Sequence, residues 1–130
     1  MNRYIKSVLR DAFVVYIFTF ASGLASAISG LTVQNSPSTA FLTNLLSGAF
    51  GLAIAGIRIS ANRTEYIAWV AVTFWTINLT NIVLGIQTYA AWVHSGITVI
   101  IMAIIGSAFA RVLSPLSQSI RSNCRSVQTE

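Results

Sequence analysis

Apolar residues fill four long stretches of this chain, at about positions 12–31, 41–57, 67–86 and 91–113. Each approaches the ~20 residues that a helix needs to cross ~30 Å of hydrocarbon. Sustained runs of this length, separated by short polar links, predict four transmembrane helices. The fold class that follows is an all-α membrane protein: an antiparallel up-down bundle over residues 1–113 with a polar tail at 114–130. Pro37 fits the start of the second helix, where its missing N–H costs nothing. Asn62 or Thr64 is placed to cap the third. Pro115 is expected to end the fourth, leaving the tail unstructured or loosely surface-bound.

Charge sets the orientation. All eight basic residues lie outside two of the three links: Arg3, Lys6 and Arg10 precede the first stretch, Arg58 and Arg63 separate the second from the third, and Arg111, Arg121 and Arg125 close the chain. Segments 32–40 and 87–90 carry no charge. Cytoplasmic loops are enriched in Lys and Arg, so both termini are expected on the cytoplasmic side. The compact chain reads as a protein of a bacterial inner membrane. The first 27 residues imitate a secretory signal, with Ala25-Ser26-Ala27 as a cleavage site. Asp11 and the apolar run continuing to Leu31 favour a retained first helix instead.

Composition supports this reading and removes others. The chain is 55% hydrophobic and 8% charged, against about 25% charged residues in a soluble domain. The net charge of +5 is accounted for by topology and by anionic lipid, so no nucleic-acid partner is implied. Cys124, the single cysteine, excludes an internal disulfide and a thiolate metal cluster. No paired mid-membrane acids and no G-x-S-x-G or H-E-x-x-H motif occur, so neither an enzyme nor a metal site is expected.

Small residues mark the predicted packing faces. Ser47, Gly48, Gly51 and Ala55 share a face of helix two, Gly96 and Gly106 share one on helix four, and Ser22 and Ser26 lie together on helix one. Such faces let helix backbones approach closely in lipid. They serve either the bundle itself or a second copy or partner protein.

The third stretch is the polar one. Thr73, Thr76 and Thr80 form one row, and Asn78 and Asn81 lie on a neighbouring face. A carboxamide in hydrocarbon must find partners or water. Together with Asn44, these residues are read as interhelical glue, reaching Asn44, Ser47 or Ser26, or as the lining of a polar path. Ionisable side chains gather at the inner interface: Asp11, Arg58, Arg63, Glu65 and Arg111, with both acids expected to neutralise arginines there. His94, beside Ala90 on the first turn of helix four, is a candidate ligand to a tetrapyrrole.

Size, four predicted helices and basic segments after helices two and four resemble the GtrA-like family, linked to moving lipid-carried sugars. Arg10 with Phe13, and Asn44 early in helix two, agree with that likeness, whereas the Arg58 and Arg111 regions lack the family's Asn-Phe and Arg-rich endings. The segment from Pro37 to Asn44 and Thr73-Phe74-Trp75-Thr76 are similar to parts of small fluoride channels. No glycine-rich stretch precedes the latter, so neither likeness defines a family.

The leading expectation is an oligomeric transport or translocation component for a small solute or lipid-linked substrate. The alternative is a non-catalytic accessory subunit docked on a larger membrane complex. A weaker one is a pigment- or haem-binding bundle.

Overall fold

Five helices account for the described chain: α1 (Arg3–Ile28), α2 (Pro37–Ile57), α3 (Arg63–Ile77), α4 (Leu79–Val83) and α5 (Tyr89–Val127). The computed structural model describes residues 3–31, 35–59 and 62–127, with side chains as far as Ser114. Cys124 and the tail's other side chains therefore lie outside what is described. The described chain is all-helical with no strands. Four helices are long and apolar enough to cross a membrane, α3 and α4 counting together as one.

Local chemistry explains the helix ends. Pro37 occupies the opening turn of α2, and the Ala40 N–H donates to the Ser36 carbonyl at 3.0 Å. Gly30 and Gly85 stop α1 and α4 in the same way, at φ of 72° and 69°. In each case the following residue donates five positions back, Leu31 to Ser26 and Ile86 to Asn81, both at 2.9 Å. That turn needs the left-handed backbone that glycine adopts without strain. Asn62 stands at the start of α3 but its side chain makes no capping bond, contrary to the sequence expectation.

Two further boundaries differ from prediction. The third span begins at Arg63 and is interrupted at Asn78, where the Asn81 N–H reaches the Asn78 carbonyl at 3.0 Å and tightens the turn. The last helix runs through Pro115 to Val127 instead of stopping. Proline deprives the Arg111 carbonyl of its donor, and the Ser114 hydroxyl donates to that oxygen at 3.1 Å. Arg63 Nη1 adds a bond to the neighbouring Ala110 carbonyl and one to Ser114 Oγ, both at 3.2 Å.

The helices pack as a square. α2 lies against α1 and α5, α3 lies against α1 and α5, α2 also approaches α3 across the square, and the backbones of α1 and α5 stay apart. The core sits towards the basic end, with Val8, Ala12 and Val15 of α1, Leu52 and Ala55 of α2, Ile67, Val70 and Phe74 of α3, and Ala110 of α5. Large apolar side chains such as Phe13, Ile17, Phe50, Ile100 and Ile104 point outwards. Soluble monomers rarely expose such a continuous apolar surface.

The other half is held by a paired clamp. Trp75 and Trp92 stack with ring centroids 4.2 Å apart and planes 5° from parallel. Each indole N–H donates to the other residue's carbonyl, at 3.1 and 3.0 Å. Trp75 lies in the last turn of α3, and this clamp is how its donor is satisfied. Gly96 packs beside it, where an added Cβ would lie 3.4 Å from the Trp75 ring. Trp75→Phe should lower stability by about 1–2 kcal/mol, through the lost bond and reduced stacking. Thermal unfolding in mild detergent measures this, and an unchanged midpoint would show that the clamp contributes nothing.

Candidate functional site

Beyond the tight core, the four spans border a half-open cavity of about 980 Å³ that reaches the uncharged links through Leu31, Pro37, Ile86 and Gln87. The break at Asn78 shapes one wall. Asn78 Nδ2 donates to the Phe74 carbonyl at 2.9 Å, and Asn81 Nδ2 donates to Asn78 Oδ1 at 3.0 Å. Asn81 Oδ1 in turn accepts from the Tyr16 hydroxyl at 2.9 Å. The glue partner of the asparagines is therefore Tyr16 of α1, not Asn44, Ser47 or Ser26. Ser47 instead donates to the Phe18 carbonyl at 3.3 Å.

The cavity lining is neutral. Its polar members are Tyr16, Thr19, Ser22 and Ser26 from α1, Asn44 from α2, Asn78, Asn81 and Gln87, and Ser95 and Thr98 from α5; no charged residue lines it. Several already have partners: Thr19 Oγ1 donates to the Tyr16 carbonyl at 2.9 Å, and Ser95 Oγ to Trp92 at 2.6 Å. Among the described residues, the side chains of Ser22, Ser26, Asn44, Gln87 and Thr98 have no hydrogen-bond partner. Among the described residues no polar side-chain atom is sealed away unsatisfied, so these groups stay accessible to a ligand or water. Phe74 and Met102, almost fully buried, form the floor.

Below that floor lies a second cluster. Asp11 is 3% exposed and Tyr66 is 2% exposed. The Tyr66 hydroxyl donates to Asp11 Oδ2 at 2.8 Å, while Asp11 Oδ1 accepts from Arg10 Nε at 2.8 Å and Arg58 Nη1 at 3.5 Å. Arg111 Nη2 donates to Thr64 Oγ1 at 3.1 Å. Glu65 is exposed and pairs with no described residue, so the expectation that it neutralises an arginine is not met among the described residues.

The remaining sequence candidates separate. Thr73 and Thr76 donate to their own helix, to the Trp69 and Val72 carbonyls at 2.8 and 2.9 Å, and neither they nor the exposed Thr80 line the cavity. Gly48, Gly51, Ala55 and Gly106 are buried inside the bundle. His94 is exposed, with Nδ1 2.8 Å from its own Ala90 carbonyl, and lies outside the cavity. No group of three metal-ligating side chains occurs among the described residues.

Sequence reasoning missed Tyr16, Ser95, Thr98 and the cavity role of Gln87. Tyr16 carried a usable signal, since a hydroxyl within an apolar crossing needs a partner. No known protein family, curated protein or solved structure matches the chain.

Proposed function

We propose that this chain is a small integral membrane protein that takes an uncharged polar ligand into the intramembrane cavity, as the binding part of a transport or translocation device. The observation that carries the reading is the set of unpartnered neutral groups converging on one cavity with no charged residue in its lining. Pockets with a mainly apolar wall and a few placed polar groups suit this task. The lining lacks the carboxylate or histidine chain of proton-coupled carriers, and the device works without covalent chemistry.

Orientation follows from the basic end. Arg10, Arg58, Arg63 and Arg111 meet there through Asp11, Ala110 and Thr64. Successive spans running in opposite directions bring these positions together, and the cytoplasm is the side that retains Arg. The cavity then faces outwards. The small-residue faces of α2 and α5 are consumed within the bundle, which removes the main support for an accessory subunit. The outward apolar surface leaves room for a homo-oligomer.

Asn78→Leu combined with Asn81→Leu is the direct test, since it makes the cavity wall apolar. Swelling of proteoliposomes in polyol gradients is expected to show protein-dependent flux for the unaltered chain and a drop of about tenfold or more for the double variant. Unchanged flux in a folded double variant would reject the role of this wall.

A further inference from the structure

The square of helices is incomplete around the cavity. The α4 backbone comes close to α3 and α5 but not to α1 or α2, and the α1 backbone stays apart from that of α5. Between α1 and α4 the cavity is therefore not closed by backbone packing, and the side-chain bond of Tyr16 to Asn81 crosses that side. Phe20 and Leu24 on α1 line the cavity, yet they are 53% and 54% exposed; Ile86 beyond α4 lines it at 64%. Gly23 also lines it, and a Cβ added there would meet no atom within 4 Å. In a bilayer this gap faces lipid.

Resting on the reading above, we infer that the ligand enters sideways from the bilayer and is an uncharged amphiphile, with a hydroxylated head and an acyl chain. The chemistry of the two halves matches this molecule. Asn44, Ser22, Ser26 and Thr98 offer neutral donors and acceptors to the head. Phe20 and Leu24 at the open side suit a chain that stays in the hydrocarbon. The lining has no cation to hold a phosphate and no carboxylate to hold an amine. A charged head there would be desolvated without compensation.

The test uses the full chain in mild detergent with three probes that share glycerol chemistry: 1-oleoylglycerol, phosphatidylglycerol and free glycerol. Bound lipid is read by native mass spectrometry. Gly23→Phe fills the gap where space is open, and glycine is unfavourable in mid-helix, so the fold is retained. Thermal unfolding verifies that. The expected result is a 1-oleoylglycerol adduct on the unaltered chain that falls about tenfold or more in Gly23→Phe, with no displacement by excess glycerol. An equal adduct in both proteins overturns the inference, as does a phosphatidylglycerol adduct that depends on Gly23. Displacement by glycerol alone overturns sideways entry, while polyol flux sensitive to Asn78 and Asn81 would leave the transport reading standing. A Gly23-dependent 1-oleoylglycerol adduct with flux insensitive to the asparagines would support the ligand assignment and reject transport.

Discussion

Gly106→Val is expected to disrupt the bundle. A Cβ at this position would lie 2.9 Å from the Ala49 carbonyl oxygen, 2.9 Å from Leu52 Cβ and 3.3 Å from the Ala53 nitrogen. Two of these obstacles are backbone atoms inside α2, which cannot swing aside. α2 and α5 must therefore separate, opening contacts along the most extensive helix pair in the protein. Lipid supplies no hydrophobic force to draw the helices back, so lost van der Waals contact is lost outright. Overpacking of a close contact costs about 1–3 kcal/mol, and this one belongs at or beyond the upper end. Gly48→Ala is the internal comparison. There the obstacle is the Met102 thioether, a flexible side chain that can adopt another rotamer, so its cost should stay below about 1 kcal/mol. Thermal unfolding in mild detergent measures both. Equal midpoints for the two variants would show that backbone approach at Gly106 is not what holds α2 to α5.

That contact was legible from sequence because close helix approach in lipid leaves few choices besides Gly, Ala and Ser. The four helices long and apolar enough to cross a membrane were legible for a similar reason, since length and apolarity nearly suffice to define a candidate span. What escaped depends on partners far along the chain. Tyr16 and Asn81 are 65 residues apart, and no periodicity relates them. The Thr row of α3 looked like a polar face, but hydroxyls at Thr73 and Thr76 bond carbonyls four residues back and face outwards. Helical spacing cannot separate a row satisfied locally from one that reaches across. Pro115 reads as a stop by itself; Ser114 and Arg63 supply bonds that let the helix continue. The asparagines read from sequence as polar groups needing partners, and Asn78 and Asn81 bond Phe74, one another and Tyr16; the unpartnered members of the cavity lie mostly on other elements, at Ser22, Ser26, Gln87 and Thr98.

The two halves of the molecule consequently differ in kind. At the basic end, all the buried positions are apolar or paired, and the spans meet closely. At the uncharged end, the interruption at Asn78 lets α4 leave α1 and α2, and side-chain bonds replace backbone packing. A cavity at the uncharged end, above a closed floor, follows from that asymmetry. Any passage through the protein therefore has to rearrange the floor at Phe74 and Met102 and the cluster beneath it.

Asp11→Ala should produce the second large loss of stability, at that cluster. Asp11 is nearly inaccessible, whereas its partners Arg10 and Arg58 keep side chains 60% and 51% exposed. Removing the carboxylate leaves those guanidiniums free to hydrate, so their own contribution is small. The buried Tyr66 hydroxyl is different, because Asp11 is its acceptor at 2.8 Å. An unsatisfied buried donor costs about 1–3 kcal/mol, and the lost charge-assisted bond adds to it. A total of about 2–3 kcal/mol is expected for Asp11→Ala. Asp11→Asn keeps an acceptor for Tyr66 and should cost roughly half as much. Tyr66→Phe should cost about 1–2 kcal/mol, and the double variant should fall short of the sum by about 1 kcal/mol, because both changes break one bond. Arg58→Ala should stay under about 1 kcal/mol at its 3.5 Å separation. Midpoints of thermal unfolding across this series separate the two possible roles of the acid. Were Asp11 chiefly a counter-ion for the arginines, Arg58→Ala would match Asp11→Ala and Tyr66→Phe would be silent; that pattern would overturn the assignment of Tyr66 as its principal partner.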